Sequence, residues 1–205
     1  MKPFGLLKPL EIPEERFESV NMDFGEIGAD SDGFNRFLVI KDRLTKFVCV
    51  IPCKDSITAE ECAKLLYKRW YLEGRGFPKS IISDRDTLFT SKVWREFCSI
   101  VGIELAMSTS RHQQTNGGAE SVVKTVKRML KGIVNYRQSD WTEYLEEISF
   151  AYNNSVHPAT GFTPCRLAYN FEPGVFSSAK SGSKTGKLVD SSRSRMEKAH
   201  KNLFL

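Results

Sequence analysis

The order of strand-like and helical segments constrains the fold of this chain more than any other feature. Three strand-like runs follow one another near the N-terminus, with polar turn segments between them, and they cover residues 16–24, 37–40 and 46–52. Consecutive strands joined by short turns predict an antiparallel meander. The first of these strands is expected to end at Asp23.

Further along the chain, helices and short strands alternate. Thr58 and Glu61 can form a capping box that starts a helix extending to residue 73. The later segments are a strand at 80–82, a helix between Ser91 and Gly102, a strand at 103–107, a polar loop at 108–118, and helices at 119–136 and 140–154. Because helical crossovers join parallel strands, the sequence predicts an α/β domain. Its five-stranded mixed sheet has three antiparallel strands and then two parallel ones, with helices on both faces.

The length of 205 residues allows one domain with flanking segments. Residues 1–15 contain three prolines and are expected to form an extended lead-in. The domain is predicted over residues 16–172. Residues 173–205 are expected to form a linker rich in Ser, Lys and Gly, followed by the start of a C-terminal helix.

The composition argues against a membrane protein and favours an intracellular one. No apolar run reaches the roughly 18 residues that a membrane-spanning helix needs, and the N-terminus lacks the apolar region of a secretory signal. The five cysteines form no C-x-x-C pair and have no histidines at zinc spacing. We therefore expect reduced, buried thiols in a cytosolic or nuclear protein. The net charge of +5 alone indicates only a solvated surface.

Three acidic residues occur where strands end or a helix begins. Asp23 belongs to the first strand, Asp84 follows the strand at 80–82, and Glu120 opens the helix at 119–136, with 35 residues between the last two. Carboxylates gathered in this way can hold two hard divalent cations, which activate a nucleophile and stabilise the leaving oxygen at a phosphodiester. The set therefore predicts a site for phosphodiester cleavage and joining.

Each of these acids has an ordinary structural interpretation, since a lone aspartate after a strand is more often a turn or cap residue. Asp86 is the main alternative to Asp84 as a metal ligand, because two residues that are two positions apart in an extended segment can face the same way. We nevertheless expect Asp86 to order the loop after the strand. Asp30, Asp32 and Asp42 are interpreted as turn residues.

The helix predicted at 119–136 has one apolar face and one cationic face. Four cations lie within about 80° of Glu120 on a helical projection, and they are Lys124, Lys127, Arg128 and Lys131. Most such stripes are solvated helix faces. Here Glu120 is the only anion in the segment, so the stripe suits contact with a DNA phosphate backbone.

Several spaced motifs together resemble a known family. They are Gly5–Leu10 with Ile12 and Pro13, Met22–Phe24, Asp42–Phe47, Ser83–Asp86, Phe89–Ser91, Trp94, Tyr152–Ser155 with His157, and Thr160–Pro164. Over roughly residues 4–172 the chain resembles the integrase catalytic core of gypsy-type LTR retrotransposons, which is related to the retroviral integrases.

The resemblance implies an RNase H-like fold, with Asp23, Asp84 and Glu120 as the D,D-35-E metal ligands of two Mg²⁺ ions, for which Mn²⁺ can substitute. It implies 3′-end processing of element DNA and strand transfer into target DNA. Residues 114–116 (Gln114, Thr115 and Asn116) would lie in a mobile loop that positions DNA. Expected partners are element-end DNA, target DNA and further copies of the chain in a dimer or tetramer. The resemblance also implies origin in a larger polyprotein and a nuclear, and also cytoplasmic, location.

The segment around Glu120 departs from the family pattern. The family has His-Pro-Gln-Thr-Asp-Gly-Gln-x-Glu-Arg, whereas residues 112–121 replace its proline, aspartate, second glutamine and arginine. Loss of the proline should loosen the loop. An alternative is therefore a degenerate or domesticated module that binds DNA or protein without catalysis. A third hypothesis, an RNase H-like nuclease, fits the loop and the 35-residue spacing less well. Joining of a 3′-OH to DNA separates the first hypothesis from both rivals.

Overall fold

A five-stranded mixed sheet forms the centre of the chain. In the computed structural model, which describes residues 12–107, 113–134 and 139–173, the strands are β1 (Ser19–Glu26), β2 (Arg36–Asp42), β3 (Val48–Cys53), β4 (Ser80–Ser83) and β5 (Glu104–Met107). Their order across the sheet is β3-β2-β1-β4-β5. The first three strands pair antiparallel, and β1, β4 and β5 are parallel. The predicted combination of strand directions is confirmed.

The helices are α1 (Ala59–Leu66), α2 (Thr87–Thr90), α3 (Lys92–Val101), α4 (Gln113–Lys131), α5 (Leu145–Asn153) and α6 (Pro164–Tyr169). A π-helical segment, Tyr67–Arg75, continues α1, and a 3₁₀ turn, Trp141–Tyr144, precedes α5. Three sequence signals that predicted where helices begin or end are confirmed. Thr58 and Glu61 form the capping box of α1, Ser91 caps α3, and Gly102 ends α3 in the left-handed conformation.

The sheet separates two hydrophobic layers, because successive side chains of a strand point to opposite faces. Val20 and Met22 of β1 belong to the layer covered by α1 and α3, in which Trp70 and Trp94 are fully buried. The other layer lies beneath α4 and α5 and contains Trp141. The prediction of helices on both faces is confirmed. All five cysteines are buried and unpaired, and no helix among the described residues is long and apolar enough to cross a bilayer.

The expected end of β1 at Asp23 was wrong. Antiparallel pairing with β2 continues to Glu26 opposite Arg36, whereas parallel pairing with β4 stops at Met22 opposite Ser83. Asp23 therefore lies inside a strand that is still paired on one side.

The expected start of α4 was also wrong. The sequence predicted a loop over 108–118, but the helix begins at Gln113 and includes Gly117 and Gly118. Glycine is a weak helix former. At Gly118 it allows the helix to approach the sheet closely, since an added Cβ would lie 3.3 Å from the Asn21 side chain.

Other element boundaries differ as well. The helix predicted to residue 73 changes to π-helical pairing after Leu66, and the short helices α2 and α6 were not predicted. The helix predicted to residue 136 ends at Lys131. The predicted segments at 1–11 and 174–205 lie outside the described residues, so the domain boundaries stay predictions.

Candidate active site

Asp23 and Asp84 lie next to the end of the pairing between two neighbouring parallel strands. Because β1 and β4 pair as far as Met22 opposite Ser83, Asp23 is the next residue of β1 and Asp84 directly follows the end of β4. They therefore lie at the same edge of the sheet. The Asp23 Oδ1 atom accepts a hydrogen bond of 2.8 Å from the backbone N–H of Phe24.

Helix α4 brings Glu120 towards these aspartates. It crosses β1 and β2 at Gly118, whose carbonyl oxygen accepts a hydrogen bond from Lys41 Nζ at 3.3 Å. Asn21 borders the same contact, and side-chain alternation places Asn21 and Asp23 on one face of β1. Glu120 follows two residues after Gly118 and is near enough for its charge to act on Asp23.

Electrostatic interactions couple the three acids. Burial is the largest cause that raises the pKa of Asp23 from 3.8 to about 6, and the charges of Asp84 and Glu120 add to it. The N–H of Phe24 and the Arg36 guanidinium act in the opposite direction. A carboxylate whose ionisation is opposed by burial and by two like charges would be stabilised by a cation.

The donor set fits a hard divalent cation in its chemistry, because Mg²⁺ and Mn²⁺ prefer carboxylate oxygens. Its arrangement is not yet that of a ligand shell. Within the described ranges, no three His, Cys, Asp or Glu side chains are placed so that they could hold a metal ion. Glu120 Oε1 instead lies 2.9 Å from Lys124 Nζ, and the two side chains are 47% and 74% exposed. Exposed pairs of this kind contribute about 0.3–0.5 kcal/mol, so this one can open at little cost.

Asp86 orders the loop that follows Asp84, as predicted. Its Oδ1 accepts a hydrogen bond from Leu88 N at 2.9 Å and caps α2. Its backbone N–H donates to Asp84 Oδ1 at 3.1 Å. Its Oδ2 lies 2.6 Å from Arg36 Nη2 in an ion pair whose side chains are 15% and 16% exposed. Asp86 is thus engaged in local structure.

The other acids set aside as turn residues behave as such. Asp30 accepts hydrogen bonds from Asp32 N and Phe34 N. Asp42 is fully buried and accepts hydrogen bonds from the backbone and hydroxyl of Thr45 in the β2–β3 turn.

Helix α4 has the predicted two-sided character. Its apolar side chains are buried in the layer on the sheet, and they include Val122, Val123, Val126, Met129 and Leu130. The cationic face begins with Lys124 beside Glu120, and Lys127, Arg128 and Lys131 continue it at intermediate to full exposure. Residues 114–116 lie in the first turns of α4, and their side chains fall outside the described part.

Sequence reasoning missed Arg36 and Lys41. No signal marks Arg36, since a charged residue at a strand start is usually solvated. A signal for Lys41 exists, because alternation along β2 places it on the same face as Phe37 and Val39, both fully buried.

Comparison with known proteins agrees with this geometry. Residues 13–113 match the family described as the integrase core domain. The Tf2-3 and Tf2-4 transposon polyproteins of Schizosaccharomyces pombe are each 33% identical to the chain over 174 residues. That alignment covers 85% of this chain but only 13% of each polyprotein.

A solved structure shares the fold. It is a cryo-EM structure of the simian T-cell lymphotropic virus intasome in complex with the PP2A regulatory subunit B56 gamma. The TM-score is 0.63 at 16% identity, and the match covers 89% of this chain and 66% of that one. The five-stranded sheet with its helices is therefore an RNase H-like integrase fold. The chain belongs to the integrase core domain family.

Proposed function

We propose that this chain is the catalytic core of a retrotransposon integrase, a metal-dependent polynucleotidyl transferase. It would remove nucleotides from the 3′ ends of element DNA and join those ends to target DNA. The observation that carries the proposal is the approach of Asp23, Asp84 and Glu120 at one sheet edge, where the charges of the other two raise the pKa of Asp23. Its membership in the integrase core family supports the same reaction class.

The residues proposed to hold Mg²⁺, or Mn²⁺ in its place, are Asp23, Asp84 and Glu120. Two such ions, when bound, would supply charge stabilisation for the attacking and leaving oxygens of the phosphodiester. The chain contributes fixed positions for two of the carboxylates through the β1–β4 pairing. Glu120 must first separate from Lys124, which its exposure permits.

The cationic face of α4 is proposed to bind the DNA backbone, with Gln114, Thr115 and Asn116 placed ahead of it on the same helix. Lys124, Lys127, Arg128 and Lys131 extend along α4 away from Glu120. Phosphate contacts of this kind fix the position of DNA without reading its sequence. The natural substrates would then be element-end and target DNA, handled by a dimer or tetramer in the nucleus.

The test is a disintegration assay on a branched DNA, with Mg²⁺ or Mn²⁺, in which the enzyme reseals the target strand. Wild type should reseal in a metal-dependent manner, and Glu120→Gln should lose the activity while keeping its fold. Glu96→Gln is a matched control, because Glu96 is also an exposed helical glutamate paired with a lysine four residues away.

The alternative, a DNA- or protein-binding module without catalysis, predicts a different outcome. Folded wild-type protein would then bind the branched DNA but not reseal it, even in a longer chain that carries the flanking polyprotein segments. Equal activity of wild type and Glu120→Gln would refute the assignment of Glu120.

A further inference from the structure

Arg36 contacts both strand segments that carry the candidate aspartates. Its guanidinium carbon lies 4.0 Å from the centre of the Phe24 ring, and Phe24 follows Asp23 in β1. Its Nη2 atom donates a hydrogen bond of 2.6 Å to Asp86 Oδ2. One side chain from β2 thus reaches across β1 to the loop after β4.

Hydrogen bonds connect Asp86, the ion-pair partner of Arg36, to Asp84 and to α2. Asp86 N donates to Asp84 Oδ1 at 3.1 Å, and Asp86 Oδ1 accepts from Leu88 N at 2.9 Å. The carboxylate that pairs with Arg36 therefore also fixes the first turn of α2. Movement of Asp86 would shift the donor that orients the Asp84 carboxylate.

Phe24, which lies under the Arg36 guanidinium, also contacts the segment after β4. The Phe24 ring stacks on Phe89 of α2, with centroids 5.1 Å apart and an angle of 16° between planes. Phe89 is fully buried. Arg36, Phe24, α2 and Asp86 therefore form a closed ring of contacts around the two strand ends.

Burial makes the ring resistant to change. The Arg36 and Asp86 side chains are only 15% and 16% exposed, and removal of one partner of a buried pair leaves an uncompensated charge. The Arg36 Nε atom has no hydrogen-bond partner within the described residues, so the ion pair and the aromatic contact hold the guanidinium. Its burial also makes it a poor contact for DNA.

We propose that Arg36 is a positioning residue of the integrase site, which holds Asp23 and Asp84 in register by clasping Phe24 and Asp86. This inference rests on the proposed function for its catalytic meaning, but the clasp itself can be tested without activity.

The experiment compares Arg36→Met, Arg36→Lys and Asp86→Asn with wild type by two measurements. The first is amide hydrogen exchange across residues 84–90 and 23–26. The second is the Mn²⁺ concentration at half-maximal resealing of branched DNA. Arg69→Met is the control, because Arg69 is likewise an arginine in ion pairs, in its case with Glu73 and Glu146, and it lies in the π-helical segment away from the candidate aspartates.

In Arg36→Met, exchange should quicken at least tenfold in residues 84–90 while the rest of the sheet keeps its protection. The half-saturating Mn²⁺ concentration should rise about tenfold or more, as is usual when a residue that orients metal ligands is lost. Arg36→Lys, which keeps the charge but loses the planar fork, should be intermediate. A merely structural role would lower stability without moving the Mn²⁺ dependence.

Two results would overturn the inference. One is unchanged exchange at 84–90 in Arg36→Met, and the other is an unchanged Mn²⁺ dependence in an active variant. If wild type itself does not reseal DNA, the proposed function fails, and the exchange measurement alone decides whether Arg36 holds the loop.

Discussion

Replacement of Asp23 by asparagine should stabilise the metal-free protein. The pKa of Asp23 is raised from 3.8 to about 6, chiefly by burial, so at pH 7.5 the native state carries a carboxylate that the unfolded chain ionises more easily. At about 1.4 kcal/mol per pH unit this penalty is about 3 kcal/mol, and partial exposure reduces it to about 1–2 kcal/mol. Asparagine has the same shape, and its oxygen can still accept the Phe24 N–H.

The pH dependence fixes the sign of this effect. Well below pH 3.8 the carboxyl group is protonated in both states, so Asp23→Asn should change little there, and most of the effect is still absent at pH 4. Between pH 4 and 6 the unfolded state loses its proton first, and wild-type stability falls with rising pH. The gain of the variant should therefore grow through this window and be complete near pH 7.

The assay is chemical denaturation in EDTA at pH 4 and pH 7.5, followed by the fluorescence of the buried tryptophans. A gain of about 1–2 kcal/mol corresponds to about 2–8 °C in Tm for a chain of this size. Asp55→Asn is the control, since Asp55 is exposed and such changes usually stay within about 0.5 kcal/mol.

Addition of Mg²⁺ should reverse the order of stability. A ligand present at 100 times its Kd stabilises the native state by about 2.7 kcal/mol, and only wild type should gain this. Lower stability of Asp23→Asn in EDTA at pH 7.5, or an equal gain at pH 4, would refute the electrostatic reasoning.

Three further substitutions test other parts of the fold. Burial lowers the pKa of Lys41 to about 8, so Lys41→Met should raise the free energy of unfolding by about 1–3 kcal/mol at pH 7, and urea titrations should show the gain shrinking towards pH 10. Gly25→Ala should cost about 2–3 kcal/mol, because the added Cβ would collide with the Phe37 ring; a wild-type Tm would contradict this. Asn153→Leu removes hydrogen bonds to Val48 N and O at 2.8 and 2.7 Å and should lower the free energy of unfolding by about 2–4 kcal/mol in urea titrations. Asn153→Asp keeps only the acceptor for Val48 N and turns a buried carboxylate oxygen towards Val48 O, so it should be destabilised at least as much.

Local signals in the sequence predicted most of the elements. Apolar runs bounded by turn segments predicted the strands, and the Thr58 capping box, Ser91 and Gly102 marked helix ends that the structure confirms. These signals act over a few residues, so they can be read without the fold. They do not give the order of strands in the sheet, so the adjacency of β1 and β4 that brings Asp23 and Asp84 together was not predicted. That these acids and Glu120 bind metal stays a prediction.

Contacts between distant residues could not be predicted. Arg36 meets Asp86 across 50 residues, and Lys41 meets the carbonyl of Gly118 across 77. The start of α4 could not be predicted for the same reason. Its two glycines favour a loop by local propensity, and the helix forms there because it packs against the sheet. Tertiary packing thus overrides local propensity at the segment that carries Glu120.

Burial distinguishes the two cations that act on the candidate acids. Lys124 pairs with Glu120 while both side chains are largely exposed, so the pair is weak and a divalent cation can displace the lysine. Arg36 and Asp86 are mostly buried, so separating this ion pair would leave an uncompensated buried charge, which is strongly destabilising. Glu120 is therefore the adaptable member of the proposed ligand set, whereas Asp84 is held in place through Asp86. Release of Lys124 from Glu120 would also free its ammonium group for a DNA phosphate, so cation binding and DNA binding should favour each other at this helix.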